Sequence, residues 1–358
     1  MAKMTNHILL VEPRYYTQYP PLGLLKLSAY HKSQGDSTEL VKGLETPSRK
    51  PDLVYVTSLF TWAWKPVWEG IGFCKKLYPN VEVWLGGLYA SLRRDHAEQS
   101  GADHVHVGLF KEAEDLMPDY DLVPGWDGSI IFSSRGCIRT CKFCSVPVLE
   151  GKLNSVKYSI KHLIWPKHTR VIFFDNNILA SPGWRTIFDE LEDMKLRVDF
   201  NQGLDARLMT EEVAEKLSKL KRERLLRLAY DEQKNRRFVQ KAIERLKAYG
   251  IKGREILVYA LFNYEDDPQD FFQRIRDILG WGAVAYPMRF EPLDALEKNK
   301  HIGRAWDAKR LDMVQRARRV IGYGGAFPPY TGLIKKFEMA KNFDDAFRLT
   351  PPRKSPCR

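Results

Sequence analysis

Short apolar runs alternate with longer segments of helical periodicity in the first third of the chain. The apolar runs are typical of buried strands and lie at residues 8–11, 53–56, 81–85 and 105–107. Residues 22–31, 67–77 and, more briefly, 97–102 have the three-to-four spacing of helices. This alternation predicts a doubly wound, Rossmann-like parallel sheet, and ligands of such sheets bind beyond the carboxyl ends of the strands.

The same alternation resumes in the second part of the chain. Six more strands are predicted, at residues 129–134, 171–175, 197–201, 225–229, 256–261 and 284–290. Among the intervening helices, residues 235–249 place Phe238, Ala242, Ile243 and Leu246 on one face. Six strand–helix units predict a partial (β/α)6 barrel with its chemistry at the strand ends.

The chain is therefore predicted to be an α/β protein of five consecutive parts. These are a Rossmann-like domain (1–118), a linker (119–128), a barrel (129–293), a helical lid-like extension (294–348) and a disordered tail (349–358). No apolar run approaches the roughly 20 residues that span a membrane, and the N-terminus has no signal-peptide pattern. We expect a cytoplasmic monomer.

Charge is distributed unevenly along the chain. The formal net charge is +12, from 57 Lys and Arg against 45 Asp and Glu, yet residues 1–118 carry 13 of each sign. The segment from Lys219 to Arg254 alone has 13 basic and 4 acidic residues. Such a field attracts RNA or an acidic protein segment, which are the substrate classes that it favours. A solvated helix face is the alternative interpretation.

Three of the five cysteines, Cys137, Cys141 and Cys144, lie within eight residues, directly after a predicted strand. In a reducing compartment such a group indicates metal ligation rather than disulfides. Three thiolates can hold three irons of a [4Fe–4S] cubane and leave the fourth iron open. A zinc site usually needs four ligands in two pairs, and purely structural thiols need no such spacing, so both alternatives are less favoured.

This cysteine spacing resembles the signature of the radical S-adenosylmethionine superfamily. The resemblance implies cleavage of S-adenosylmethionine to a 5′-deoxyadenosyl radical, with a flavodoxin- or ferredoxin-type partner as the one-electron reductant. By position, it assigns contacts with S-adenosylmethionine to Phe143, Asp175, Asn177, Gln202, Arg207 and Tyr230. Candidate catalytic residues are Tyr286, Arg289 and Tyr330. Asp175 stands where the superfamily often has Gly-Gly-Glu, and a surface ion pair is the alternative for Arg207 and Asp231.

The first domain resembles the cobalamin-binding domain that precedes the barrel in one branch of this superfamily. The matching positions imply that cobalamin contacts Thr57, Leu59, Gly86 and Gly87. The usual Asp-x-His-x-x-Gly loop is absent, since residues 12–20 contain no histidine. Trp62, Trp64 and Trp68 either cap the corrin or pack the domain interface, whereas His104 and His106 are interpreted as strand residues.

These resemblances together imply cobalamin-dependent C-methylation of an unactivated carbon on a protein, RNA or other substrate. The main alternative is a cobalamin-free radical enzyme that rearranges or eliminates a small molecule and keeps a vestigial first domain. A methylthiotransferase is less favoured because that class carries a second cluster, normally on three cysteines of the first domain. Only Cys74 is present there.

Overall fold

The computed structural model of the chain describes residues 5–322 and 324–348. The predicted tail, residues 349–358, lies outside the described residues. The strands are β1 His7–Glu12, β2 Ser37–Lys42, β3 Leu53–Ser58, β4 Glu82–Gly87, β5 His104–Val105, β6 Gly128–Ile131, β7 Arg170–Phe173, β8 Arg197–Phe200, β9 Leu226–Ala229, β10 Ile256–Phe262 and β11 Val284–Arg289. The α-helices are α1 Leu22–Ser33, α2 Trp64–Leu77, α3 Leu88–Leu92, α4 Arg94–Ala97, α5 Val146–Leu149, α6 Trp184–Met194, α7 Glu211–Lys219, α8 Arg236–Ala248, α9 Pro268–Gly280, α10 Ala308–Val320, α11 Thr331–Met339 and α12 Phe343–Phe347.

The chain forms two compact units. The first ends at Ile172 but also includes a later segment, Glu291–Lys300. The second comprises Phe173–Phe290 and the chain from His301 onward. The cysteine segment belongs to the same unit as the first sheet, so the division into units does not fall at residue 118. The domain boundary at that residue stays a prediction.

The first unit is organised around a five-stranded parallel sheet of order β2-β1-β3-β4-β5. The order reverses between β1 and β3, which is the topological switch point where doubly wound sheets bind ligands. The prediction missed β2, because it is an edge strand in which Val41 alone is buried. Without a run of buried apolar residues, its sequence carries little strand signal.

Two apolar layers cover the faces of this sheet. On one face, Leu24 of α1 packs with Ile8 and Leu10 of β1. On the other face, Val67 and Ile71 of α2 are fully buried against the strands. Side chains alternate between the two faces along each strand, so the α1 face and the α2 face receive different residues of the same strand.

The segment Glu291–Lys300 packs on the carboxyl side of β3. Its main-chain carbonyls accept hydrogen bonds from three side chains: Thr61 to Ala295 (2.6 Å), Trp64 to Leu296 (3.2 Å) and Arg93 to Asp294 (2.8 Å). Residues 291–293 were predicted to end the barrel and residues 294–300 to begin the lid. The structure instead places all of them in the first unit.

The tryptophans of α2 and the preceding turn take part in this packing. The ring of Trp68 stacks on His96 and its indole N–H donates to Tyr89, while Trp64 meets His96 edge to face. Trp64 and Trp68 therefore pack against the apolar core of the first unit. Their contact with a corrin or with a domain interface stays a prediction. Trp62 stacks instead on the half-exposed ring of Phe60, with ring planes 8° apart.

All six strands predicted for the second part of the chain are present. They form two three-stranded sheets, β6-β7-β8 and β11-β10-β9. Within the second unit β8 adjoins β9, since Leu204 N–H donates to the Arg227 carbonyl at 2.8 Å, and Val198 forms a parallel bridge with Arg222. The partial barrel of the prediction is therefore open: among the described residues no closed barrel exists.

Helix α8 shows how well helical periodicity predicts which residues are buried. Ala242, Ile243 and Leu246 are buried as predicted, together with Val239. The prediction of Phe238 was wrong, because this ring is 49 % exposed. Neighbouring apolar residues on a helix are about 100° apart, and only the contact with the sheet decides which of them is covered.

The extension after residue 300 is helical and packs on α9. Helix α9 begins at Pro268 with an Asp267 cap, and its buried Phe272 stacks on Phe337 of α11. Phe327 is fully buried and exchanges two main-chain hydrogen bonds with Ala285 at the edge of β11. The extension therefore covers an edge strand that would otherwise be unpaired. Its role as a lid stays a prediction.

None of the helices in residues 5–322 and 324–348 is both long and apolar enough to cross a membrane.

Candidate active site

The cysteine loop follows β6 and folds back on residues 151–152. Gly136 has φ +70°, and a Cβ there would lie 2.6 Å from the carbonyl carbon of Lys152 and overlap its oxygen. Cys137 N–H donates to the Gly151 carbonyl at 3.1 Å. A glycine is thus required directly before the first cysteine, because only glycine allows both the left-handed φ and this close approach.

The three thiols lie on this loop, half-buried and outside any disulfide. Arg139 N–H points at the Cys137 sulfur at 3.3 Å, and Cys144 N–H donates to the Cys141 carbonyl at 3.1 Å. No group of three His, Cys, Asp or Glu in the described part of the chain could hold a single metal ion. A cubane needs no such convergence, since each thiolate binds a different iron. Three thiols on one half-buried loop fit a cluster.

A buried arginine anchors the loop. Arg135 precedes Gly136, is 6 % exposed, and forms ion pairs with Glu114 (2.6 Å) and Glu150 (3.2 Å). Glu150 also accepts a hydrogen bond from Gly136 N–H at 3.1 Å, and Lys26 of α1 pairs with Glu114 at 3.2 Å. Because buried charge pairs are costly to break, this network holds the start of the loop against the first domain.

In the second unit, polar side chains gather after β7 and β8. Asp175 and Asn177 follow β7 and are buried. Asn177 donates to Asp205 at 3.2 Å, and Asp205 also binds the Arg207 guanidinium at 2.8 Å. Arg207 thus pairs with the nearly buried Asp205, two residues away, and its role toward S-adenosylmethionine stays a prediction. The Arg207 side chain remains 30 % exposed.

Two neighbouring residues after β9 point in opposite directions. Tyr230 is fully buried, and its hydroxyl bonds Asp277 of α9 at 3.2 Å, so it lies on the helix side of the sheet. Asp231 accepts a hydrogen bond from Leu261 N–H at 3.2 Å. Burial raises the pKa of Asp231 to about 6, and Arg274 and Arg207 oppose this through their positive charge. At this strand end, it is therefore Asp231 whose pKa is affected by the charge of Arg207, whereas Tyr230 faces α9.

This raised pKa predicts a pH-dependent stability. The folded carboxyl holds its proton up to about pH 6, whereas the unfolded one loses it near 3.8. The native state therefore binds more protons between these values, and the free energy of unfolding falls as pH rises through this window. Asparagine does not ionise, so the free energy of unfolding of Asp231→Asn should rise relative to that of wild type by about 2–3 kcal/mol between pH 4 and pH 7. Urea unfolding at both pH values measures this difference. Glu244→Gln, on the exposed face of α8, is the control, and a gap that does not change with pH contradicts the assignment.

The remaining predicted residues are dispersed. Phe143 lies half-buried on the cysteine loop, and Gln202 is exposed after β8. Tyr286 accepts a hydrogen bond from Arg318 at 2.8 Å, while Arg289 donates to the His301 carbonyl at 2.8 Å. Tyr330 is 70 % exposed at the start of α11. Their catalytic and cofactor roles stay predictions.

The first sheet brings the predicted cobalamin contacts together. In the β3–β4 register, Thr57 lies opposite Gly86 and Ser58 opposite Gly87. Gly87 has φ +103°, and a Cβ there would meet the backbone of Ser58 at 2.9 Å, so the fold itself requires this glycine. At Gly86 the nearest atom to a Cβ is 3.9 Å away. Among the described residues only the His106 Cβ would contact a Cβ at Gly86, so the fold itself does not require this glycine and space remains beside the sheet.

Exposed apolar side chains follow the strands at this same edge. They are Phe60 after β3, Leu88 after β4, and Val107 and Leu109 after β5, each at least 40 % exposed. Exposed apolar side chains are informative where they accompany a binding edge. These four follow the carboxyl ends of the strands, where doubly wound sheets bind ligands.

The sequence analysis missed the partners that hold these groups. Asp205 and Glu150 are such partners, and neither was singled out. Asp205 lies two residues before Arg207, a spacing that favours a local turn contact, so a signal was present. Glu114 and Glu150 are 21 and 15 residues from Arg135, and no local pattern indicates pairs at such separations.

The basic segment from Lys219 to Arg254 is paired with acidic side chains only in part. Seven of its thirteen basic side chains have protein partners, namely Lys219, Arg222, Arg227, Lys234, Arg236, Arg245 and Lys247. Five of these seven pair with acidic side chains, whereas Arg245 and Lys247 donate to main-chain carbonyls. Both interpretations of the segment, a field for an acidic substrate and a solvated helix face, stay predictions.

Comparison with known proteins agrees with this geometry. No protein-family model matches the chain. A curated relative, the ribosomal protein uS12 methylthiotransferase RimO of Lawsonia intracellularis, is 28 % identical over 138 residues, which is 38 % of this chain and 28 % of that protein. The chain thus matches little more than a quarter of that relative's length.

Two solved structures resemble most of the chain. Both are of TsrM, a radical S-adenosylmethionine methyltransferase from Kitasatospora setae. The form with cobalamin and a [4Fe–4S] cluster has a TM-score of 0.60 and 13 % identity, covering 90 % of this chain and 80 % of TsrM. The form with tryptophan and aza-SAM has the same score and identity, covering 89 % and 78 %.

This chain has the fold of TsrM. The likeness to TsrM confirms the predicted fold class, an α/β chain built on parallel sheets. At 13 % identity, what TsrM shares with this chain is the fold.

Proposed function

We propose that this chain is a radical S-adenosylmethionine enzyme that binds a [4Fe–4S] cluster and cobalamin and methylates carbon. One observation carries the proposal: three half-buried thiols stand on one loop, directly after β6, in a chain with the fold of TsrM. When bound, the cluster supplies the electron that cleaves S-adenosylmethionine, and cobalamin supplies a methyl carrier.

The protein's own residues bind and orient the reactants. Cys137, Cys141 and Cys144 hold the cluster and leave one iron open for S-adenosylmethionine. Asp175 and Arg207 are the charged groups proposed for its amino and carboxylate ends, since a guanidinium suits a carboxylate. Asp231 can both donate and accept hydrogen bonds near its pKa of about 6, which suits the hydroxyls of a ribose.

The first domain contributes room and an apolar surface. Gly86 leaves space beside the sheet, and the exposed Phe60 and Leu88 offer a flat apolar edge for a corrin ring. If this domain is vestigial, the alternative is a cobalamin-free radical enzyme that rearranges or eliminates a small molecule.

A methylthiotransferase is less favoured, despite the partial likeness to RimO. Cys74 is buried in α2, and burial raises the pKa of its thiol to about 11. Metal ligation requires a thiolate, so this cysteine is a poor cluster ligand. The first domain has no other cysteine.

The substrate and partners belong to the proposal as well. The basic residues of 219–254 that are not paired within the chain favour an acidic substrate, RNA or a protein segment. A flavodoxin- or ferredoxin-type protein is the proposed one-electron reductant, and the enzyme is proposed to be a cytoplasmic monomer.

The test is an analysis of iron, sulfide and corrinoid in protein produced without oxygen and supplied with cobalamin. About four irons, near-stoichiometric corrinoid and formation of 5′-deoxyadenosine from S-adenosylmethionine would support the whole proposal. Gly86→Val should lower corrinoid content and leave iron unchanged, because its side chain enters the space beside the sheet. Four irons with no corrinoid after reconstitution would favour the cobalamin-free alternative.

A further inference from the structure

One row of residues crosses the end of the first sheet on the α1 face. Thr57 in β3 lies opposite Gly86 in β4. His106 continues the row one residue beyond β5, since its N–H donates to the Leu85 carbonyl at 2.8 Å and its Cβ is 3.9 Å from a Cβ built on Gly86. The space beside Gly86 is therefore bordered by the His106 side chain.

The His106 ring has one nitrogen without a partner. Its Nε2 is buried and makes no hydrogen bond, while the ring meets Phe110 edge to face at 6.0 Å. Buried polar atoms almost always have a partner, so an orphaned one requires an explanation. The following residues, Val107 and Leu109, are exposed, which places the nitrogen just beneath the surface at the carboxyl edge of the sheet.

The neighbouring histidine in the same row of strands is different. His104 lies two residues earlier on the same face. Its ring contacts the tilted ring of Trp84, with centroids 4.3 Å apart, and its Nε2 lies 3.5 Å from the Glu82 carboxylate. Its ring is thus used by the protein itself. His106 lies next to Gly86, and its Nε2 has no hydrogen-bond partner within the part of the protein that the structure describes. This nitrogen is therefore available to a ligand.

We infer that His106 Nε2 hydrogen-bonds the phosphoribosyl-benzimidazole tail of cobalamin as the tail passes Gly86. This inference rests on the proposed binding of cobalamin and adds a residue that recognises one part of it. The tail carries phosphate, ribose and base groups that can pair with an imidazole nitrogen. The corrin ring is instead assigned to the exposed apolar edge of Phe60 and Leu88, so His106 discriminates between corrinoids with and without a tail.

The test compares hydroxocobalamin with cobinamide, which has the same ring but no tail. His106→Phe retains a ring of similar size and removes both nitrogens. We expect it to bind hydroxocobalamin about tenfold to one hundredfold more weakly than wild type, and cobinamide as tightly as wild type does. Dissociation constants are measured from tryptophan fluorescence, with the iron content as a check of the second cofactor. His104→Phe is the matched control and should leave the preference for cobalamin unchanged.

A second measurement separates binding from folding. Because Nε2 has no protein partner to lose, the thermal midpoint of the ligand-free His106→Phe variant should equal or exceed that of wild type. Equal weakening for both corrinoids, or unchanged affinity for hydroxocobalamin, overturns the assignment of His106 while cobalamin binding itself stands. If wild-type protein binds neither corrinoid, the cobalamin part of the proposed function fails together with this inference.

Discussion

Replacing Cys137, Cys141 and Cys144 together by alanine is expected to remove all cluster iron and all cleavage of S-adenosylmethionine. No other cysteine lies near enough in sequence to substitute, and alanine offers no thiolate to an iron. Iron and sulfide are measured on anaerobically reconstituted protein, and 5′-deoxyadenosine by chromatography. The expected loss of turnover is complete within detection.

The matched control for this variant is Cys74→Ala. It removes a cysteine that is 3 % exposed in α2, so it tests whether loss of any thiol matters. It should retain about four irons. Cys74→Ala should lower only the free energy of unfolding, as other small truncations in a core do. Normal cleavage of S-adenosylmethionine by the triple alanine variant would refute the central proposal.

The second large effect is expected at Gly136. In Gly136→Ala the new Cβ overlaps the Lys152 carbonyl, so residues 136 and 152 must separate. The hydrogen bond from Cys137 to Gly151 would break with them. We expect a loss of about 3 kcal/mol or more in the free energy of unfolding, with most of the cluster iron lost, because left-handed strain and a backbone clash combine. Urea unfolding and iron analysis measure the two effects.

Gly151 provides an unusually close control. Its φ is +72° against +70° for Gly136, but nothing lies within 4 Å of a Cβ built there. Gly151→Ala therefore carries the left-handed strain alone, about 1–2 kcal/mol, and should keep its iron. If both variants lose iron equally, the loop depends on backbone conformation alone and not on the close approach to Lys152.

Much of the architecture was predictable from local pattern. Strands β1, β3 and β4 are runs of alternating or continuous apolar residues, and α2 and α8 have clear helical periods, so their existence follows from short-range rules. The cysteine loop and the pair Gly86-Gly87 were also recognisable, because each is a contiguous motif. Strand β2 was not predicted, because an edge strand with one buried residue lacks the run of apolar residues from which strands are predicted.

Pairings across the chain could not be predicted in the same way. Arg135 binds Glu114 and Glu150 on either side of the cysteine loop, and its value to the loop depends on both. Nothing in the spacing of these residues distinguishes them from other acids. The directions of the Tyr230 and Asp231 side chains could not be predicted either. The sequence shows that neighbouring strand residues alternate, but the packing of α9 decides which of the two faces the helix.

By itself, the sequence determined most of the elements, their order and the spacing of the three cysteines on one loop. These depend on periodicity and on motifs in which the interacting residues are neighbours. Only the tertiary structure decided that residues 291–300 pack with Thr61, Trp64 and Arg93 in the first unit, that Asp205 holds Arg207, and that His106 borders the space beside Gly86. Such contacts join residues far apart in the chain or on different strands, and the register and packing of whole elements bring them together.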